Sequence, residues 1–400
     1  MTFTSETEAN YLHLGLTMTG AYSNNIAAYS GNITGNQPAI AGESYSIWPT
    51  IAFDKATERS HYTLNYSPGF TLYQPTKVSN QVSQNATFAL QYRLSPNVTA
   101  SVGESFNQTS NIFNQPNPLG AISVSGAAQP PQQAVIPATA EQRTNGTSAQ
   151  VTYQCGENCL VGGGGAYGSL RFSSPTELTG LYNSSSGTAS TFYSRRLRGK
   201  YYLGASYQFQ ELSSYQPGAV NAPGTHAQTQ LVFGFLTAYL SPAFSVSFSA
   251  GPEHFTATGA TSPASRSWSP VAMVSVGWQG SRTSLAASYS RIVTGAGGLN
   301  GLFESNTANV SARWQMSRTW TLGLSASYSA HQDIIPAQSF ASTGGHTTFG
   351  ALSVQRPLGE RLSLQAGYNY IQQNYTGTVS AIPTTGRVFI SIGYKFERPL

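Results

Sequence analysis

The segment Arg387–Phe396 reads RVFISIGYKF, and its side chains change character with a period of two. Large apolar residues occupy one parity: Val388, Ile390, Ile392, Tyr394 and Phe396. The other parity is mostly small or polar. Successive side chains of a β-strand point to opposite faces, whereas a helix repeats every 3.6 residues, so this segment is predicted to be a strand. Its two faces suit a wall between an apolar medium and water.

The composition argues against an ordinary soluble protein. Charged residues make up 9% of the 400-residue chain, whereas soluble domains carry about 25%. The chain has no run of about 18 apolar residues, so no transmembrane helix is predicted. Low charge without an apolar block fits a barrel with one lipid-facing side and one wet side. The alternative at this point is a soluble all-β repeat or fibre protein.

Alternation with the same period recurs along the chain. The cleanest segments are Tyr11–Thr19, Ala86–Leu94, Tyr201–Gln210, Phe244–Ala250, Trp320–Tyr328 and Leu362–Tyr370. Gln230–Leu240 and Val271–Trp278 are instead apolar on both parities. In Val98–Phe106, Glu104 falls on the apolar parity, and a β-bulge is expected to reset the register there.

The connections between these segments alternate between short and long. The short turns are Asp54–Arg59, Ser95–Asn97, Cys155–Cys159, Leu197–Lys200, Ser241–Ala243, Gln279–Arg282, Ser317–Thr319 and Pro357–Arg361. The long ones, rich in Gly, Pro, Asn and Ser, are roughly 23–43, 74–81, 111–143, 173–186, 211–225, 255–267, 295–306, 330–346 and 373–384. Eight short and nine long connections join about eighteen strands, within a range of sixteen to twenty. The predicted fold is all-β, a single antiparallel up-and-down transmembrane barrel over 11–396 with tails at 1–10 and 397–400.

The closing strand, which ends at Phe396, resembles the C-terminal signal strand of bacterial outer-membrane β-barrels. That strand typically ends in Phe or Trp, although here four residues follow. The whole chain resembles porin-like outer-membrane barrels, and its Gly-, Tyr- and Ser-rich style is similar to barrels of environmental bacteria such as acidobacteria. The resemblance implies contact with outer-membrane lipid and lipopolysaccharide, and recognition of the last strand by the barrel assembly machinery. The N-terminal residues lack the pattern of a signal peptide, so a mature or truncated form, or a misassigned start, is expected.

Five cations are predicted to line the lumen: Arg93, Arg171, Arg313, Arg387 and Lys395. Few acidic residues share their parity, and the net charge is +5. A low-dielectric wall focuses the field of such charges, so the lumen is expected to favour anions mildly. Because the five are spread over both halves of the chain, they are not expected to form one ring.

Other chemistry has weaker support. Cys155 and Cys159 have no further zinc ligands nearby, so they form either a small disulfide loop or two free thiols. The run Gly162–Gly165 lacks the Lys-Ser or Lys-Thr of a phosphate loop. The six histidines show no metal-ligand spacing, and we expect no metal, no cofactor and no nucleic-acid partner. Glu253–His254 and His331–Asp333 are the best acid–histidine neighbours for a hydrolase, although hydrated loop residues are the plainer interpretation.

The function predicted first is passive diffusion of small hydrophilic solutes, anions among them, through an outer-membrane channel. The alternatives are export of a polysaccharide, or a barrel that serves as an outer-membrane enzyme or adhesin. The longest connection, 111–143, carries apolar residues that would be exposed if the loop extended into water. It is predicted to fold inward and narrow the channel, the alternative being a mobile outer loop or one that covers the mouth.

Overall fold

The computed structural model describes residues 10–26, 40–74, 80–109, 113, 141–173, 182–215, 224–258, 264–295, 301–334, 344–375 and 384–399. These residues form eighteen antiparallel strands. In chain order the strands are β1 (Tyr11–Ser23), β2 (Gly42–Ala56), β3 (Ser60–Gln74), β4 (Gln81–Ser95), β5 (Val98–Thr109), β6 (Gln142–Gln154), β7 (Cys159–Phe172), β8 (Asn183–Leu197), β9 (Tyr201–Tyr215), β10 (Thr225–Ser241), β11 (Phe244–Thr258), β12 (Ser265–Gln279), β13 (Thr283–Gly295), β14 (Leu302–Gln315), β15 (Thr321–Asp333), β16 (Gly345–Pro357), β17 (Leu362–Tyr375) and β18 (Thr385–Pro399). The described residues include no helix long and apolar enough to cross a membrane.

Each strand pairs with its neighbours in the chain, and β1 also pairs with β18. The closing register runs from Tyr11 opposite Pro399 to Ser23 opposite Arg387. Closure gives both the first and the last strand a partner on each side, which removes the edges that an open sheet would expose. The predicted up-and-down barrel of eighteen strands is confirmed.

The short turns all lie on one side of the barrel, and every predicted short turn joins two strands in the structure. The strands span 12 residues in β5 to 17 in β10, whereas a tilted strand needs about 9–11 to cross a bilayer. Their upper ends, on the side of the long connections, therefore extend beyond the apolar zone. Charged residues on the outer face there, such as Arg143 and Arg266, agree with this.

The outer face of the wall is apolar. The register places Leu324 opposite Leu352, and Leu364 opposite Ile392. These residues, like Leu322, Tyr368 and Ile390, share the outer face, and Ile390 is 54% exposed. In a closed barrel the exposed apolar side is the side that contacts lipid. The predicted parity of the lipid face is thus confirmed in β15, β17 and β18.

Two details of the register differ from the sequence predictions. Glu104 lies opposite Phe88 and Thr147 in an unbroken register, so the expected bulge is wrong. Glu104 stays on the outer face, where the Thr147 hydroxyl donates a hydrogen bond to its carboxylate. The last strand also runs to Pro399, three residues beyond Phe396. Of the predicted tails, 1–9 and 400 lie outside the described residues.

Candidate functional site

The inner wall of the barrel is lined largely by small hydroxyl, amide and glycine residues. Hydroxyl pairs bridge neighbouring strands on this face, such as Thr19 with Ser391 at 2.7 Å and Thr50 with Ser67 at 3.2 Å. On each strand the polar side chains point to this face and the apolar side chains to the other. The alternation in the sequence therefore places polar groups on the inside of the barrel, where they can contact water. The lumen is therefore the candidate functional site.

The upper end of the β13–β14 hairpin departs from the wall. Strand β12 pairs with β13 only from Gln279 opposite Ser284 up to Ala272 opposite Arg291. Beyond Arg291, β13 continues to Gly295 paired with β14 alone. Val293 and Leu302 have the parity that faces lipid lower down, yet they are 3% and 0% exposed. The end of the hairpin therefore lies inside the barrel, against its inner wall.

A hydrophobic cluster holds the hairpin in this position. We call it the hairpin cluster, and its members are Leu212, Ala227, Phe255, Ala257, Val293 and Leu302. The first four face inward from β9, β10 and β11. Complete burial of a Leu, Val or Phe side chain contributes about 1.5–3 kcal/mol. The apolar inner surface of these strands is thus covered by the hairpin instead of meeting water.

A carboxylate adds a polar contact to this packing. Glu253 faces inward from β11, is 3% exposed, and accepts a hydrogen bond from the backbone N–H of Val293 at 3.1 Å. The side chain of Thr229 also contacts it by a hydrogen bond. Val293 has left β12, so its N–H no longer meets a strand on that side. The carboxylate supplies the acceptor that a neighbouring strand would otherwise provide. A buried N–H donor requires such a partner.

The long connection after β5 reaches the lumen at Phe113. The Arg387 guanidinium carbon lies 5.5 Å from the centre of the Phe113 ring. Arg387 is buried on the inner face of β18, and β1 to β4 separate that strand from β5 around the barrel. Phe113 follows Thr109, the end of β5, by four residues. The other residues of the connection, 110–112 and 114–140, lie outside the described residues.

Four of the five predicted cations face the lumen: Arg93, Arg313, Arg387 and Lys395. The prediction for Arg171 is wrong. Arg171 lies opposite Arg143 on the outer face of β7, the face that also carries Tyr167. The Gly162–Gly165 run explains the error, because glycines give no contrast between the faces and the parity of β7 cannot be read from them.

The inward cations concentrate at the short-turn end of the barrel. Arg93, Arg313 and Lys395 lie within a few residues of that end, as does Arg196, which the sequence reasoning missed. The clean alternation of β9 gives the missing signal, because Arg196 lies opposite Tyr202 on its inner parity. Two inward acids, Asp54 and Glu397, accompany them, and Lys395 Nζ lies 3.1 Å from Glu397. Arg387 stands apart, towards the other end.

The two predicted acid–histidine neighbours lie within strands. Glu253 faces inward, whereas His254 faces outward with its ring 4.9 Å from that of Trp268. His331 and Asp333 were expected in a loop, but both belong to β15. His331 is buried, and its Nε2 lies 2.9 Å from the hydroxyl of Ser329.

Cys155 and Cys159 are joined by a disulfide in the structure, with their Cα atoms 5.1 Å apart. They flank the turn between β6 and β7 at the short-turn end, where Cys155 N–H donates to the carbonyl of Cys159 at 3.1 Å. Among the described residues, no three potential metal ligands come together.

A closed barrel of eighteen strands, apolar outside and polar inside, is an architecture that spans the bacterial outer membrane. The protein is an outer-membrane β-barrel, and its short turns lie on the periplasmic side by the rule for such barrels. No protein-family model and no curated protein matches the sequence.

Solved structures with a similar fold are outer-membrane proteins. The ferric citrate transporter FecA has 12% identity and a TM-score of 0.46; the match covers 93% of this chain and 63% of FecA. The outer-membrane protein OpdK from Pseudomonas aeruginosa has 10% identity and a TM-score of 0.43, with 97% and 99% covered. OccK2 (OpdF) from the same organism has 8% identity and a TM-score of 0.46, with 97% and 98% covered. Such low identities and scores do not bear on what passes through the lumen.

Proposed function

We propose that the protein is a channel through which small hydrophilic solutes diffuse passively across the outer membrane. The observation that carries the proposal is the largely polar inner wall of a closed eighteen-stranded barrel. Barrels of about 16–18 strands leave an aqueous channel, whereas barrels of about eight strands are filled by side chains. Hydroxyl and amide groups on the wall replace part of the hydration of a passing solute.

Two features limit the size of the solute. The β13–β14 hairpin occupies part of the upper lumen on the side of β9 to β11. Phe113 enters from β5 and reaches β18. Together they narrow the passage from two directions, which favours small solutes over a polymer.

The charges favour anions over cations of the same size. Arg93, Arg196, Arg313 and Lys395 at the periplasmic mouth outnumber Asp54 and Glu397 there. A cationic mouth in a low-dielectric wall raises the local concentration of anions. We therefore propose that small anionic solutes are preferred.

Single-channel recording in a planar bilayer tests the proposal. A stepwise ohmic conductance, with a reversal potential displaced towards that of the anion in a salt gradient, is expected. A purified, folded barrel that gives no conductance above the bare bilayer would overturn the channel function. A conductance without anion preference would overturn the solute class alone.

A further inference from the structure

The wall of the barrel has a seam above the last pair of β12 and β13. Residues 265–271 of β12 pair with β11, but within the described part of the chain no strand pairs with them on the side of β13. Continuation of the register would set Ser269 opposite Thr294. The hairpin instead turns into the lumen at Arg291 and leaves this edge of β12 without a strand.

Proline chemistry accounts for the position of the seam. Pro270 lies opposite Pro252 on β11, and neither residue has an N–H to donate. They must therefore form a non-hydrogen-bonded pair, in which the backbone groups of each residue point away from the other strand. Pro270 thus presents no donor to β13. On the other side of β11, the pairing of this strand with β10 is also interrupted, between the pairs Leu231–Glu253 and Gly234–Ala250.

The inner face of the wall beside the seam carries a second apolar cluster, separate from the hairpin cluster. Leu231, Phe233 and Val271 form a buried cluster on the inner faces of β10 and β12. Phe235, Met273 and Ile292 pack against them. All but Ile292 lie in Gln230–Leu240 and Val271–Trp278, the two segments whose sequences are apolar on both parities. We call this group the apolar sector.

The outer face of β12 beside the seam also carries a large apolar side chain. Trp268 faces outward from the unpaired edge and is 65% exposed. Tryptophan is enriched where lipid meets water, because its ring is amphipathic. A sheet edge at membrane depth is tolerated only where protein or a water-filled cavity covers it. The edge of β12 without a strand thus lies between an apolar cluster on its inner face and an exposed aromatic on its outer face.

We infer that this seam is a lateral opening through which small apolar molecules pass between the apolar sector and the outer leaflet. The central path keeps its polar wall and serves hydrophilic solutes independently. An apolar solute would leave the lumen sideways and would not need to cross the charged periplasmic mouth. The inference does not depend on the proposed diffusion of hydrophilic solutes.

Cysteine crosslinking in intact cells tests whether the seam exists. The variant Ser269→Cys/Thr294→Cys spans the seam, and Ser275→Cys/Ser288→Cys lies below it at a directly opposed pair. Both are placed in a Cys155→Ser/Cys159→Ser background. The lower pair is expected to crosslink at least about tenfold faster, because cysteines with Cα atoms more than about 7 Å apart cannot bridge. Equal crosslinking rates would show that β12 and β13 stay paired across the seam. Failure of the lower pair to crosslink would show that the register is wrong. Either result overturns the inference.

Uptake of an apolar probe tests the route itself. Intact cells that express the protein should take up N-phenyl-1-naphthylamine several-fold faster than cells with an empty vector. Phe233→Ser/Met273→Ser, which makes the apolar sector polar, should return uptake to the vector level. Heat-modifiable migration on gels shows that the variant is folded.

Entry of the hydrophilic chromogenic cephalosporin nitrocefin, hydrolysed by a periplasmic β-lactamase, is measured in parallel. It should be the same for the wild type and the double variant. The lateral route is overturned if cells with the wild-type protein take up the apolar probe no faster than cells with the empty vector. It is also overturned if the folded double variant takes up the probe as fast as the wild type. Nitrocefin entry at the vector level for every protein would instead count against the hydrophilic channel and leave the result for the apolar probe standing.

Discussion

The backbone N–H of Val293 donates a hydrogen bond to Oε2 of Glu253 across 3.1 Å. One residue belongs to a strand that has left the wall, and the other faces the lumen from a strand that remains in it. The contact is buried, so loss of the carboxylate would leave a donor without an acceptor. The position of the hairpin in the lumen therefore depends on this carboxylate as well as on the hairpin cluster.

Replacement of Glu253 by alanine is expected to loosen the hairpin. A buried donor left unsatisfied costs about 1–3 kcal/mol, so the free energy of unfolding in lipid vesicles should fall by that amount. Single-channel current should become noisier or larger as the hairpin moves. Glu253→Gln is the matched control, because its amide oxygen can still accept from Val293. Wild-type stability and conductance in Glu253→Ala would contradict the role of the carboxylate.

The two faces of β15 should respond differently to the same substitution. Leu324 faces lipid and is 48% exposed, whereas its neighbour Ser325 faces the lumen. An arginine on the lipid face near the midplane costs about 2–4 kcal/mol, because its charge is taken out of water. Leu324→Arg should lower the free energy of unfolding by this amount, and Ser325→Arg should be nearly neutral. Equal losses, measured by urea titration in vesicles, would refute the assignment of faces.

Sequence alone predicted those parts of the fold that local patterns determine. Alternation and connection length are local, so the strands around Leu324 and Ile390 could be placed with the correct face. The inward turn of the hairpin could not, because it depends on packing against distant strands. The connections predicted over 295–306 and 255–267 also left Leu302 and Phe255 outside any predicted strand. Arg171 was misplaced because the glycines before it carry no facial signal. Glu253 and His254 were predicted as neighbours of a hydrolytic pair, but both lie within β11, where consecutive side chains face opposite sides.

Anion preference should depend on the inward cations and not on the outward ones. Arg313→Glu reverses a charge at the periplasmic mouth, so the low-salt reversal potential should move towards that of the cation. Arg171→Glu makes the same change in net charge on the outer face and is the matched control. The preference should fade towards 1 M salt, where the Debye length is about 3 Å. Equal shifts from both variants would mean that net charge, and not its place in the lumen, sets selectivity.

The contact of Phe113 with Arg387 predicts that the β5–β6 connection narrows the pore. A cation over an aromatic ring is worth about 0.5–2 kcal/mol, which helps to hold the start of the connection across the lumen. Deletion of residues 115–138 should raise single-channel conductance well above that of the intact protein, because less chain then occupies the passage. Phe113→Ala should raise it less, since the variant keeps the full length of the connection.

Deletion of residues 377–382, from the β17–β18 connection, is the control for shortening a long connection on the same side. It should leave the conductance close to that of the wild type. Unchanged conductance after removal of 115–138 would place that segment outside the passage. In that case the inward hairpin with Val293 and Leu302, and not the β5–β6 connection, would set the width of the channel, and Glu253→Ala would have the larger effect on current.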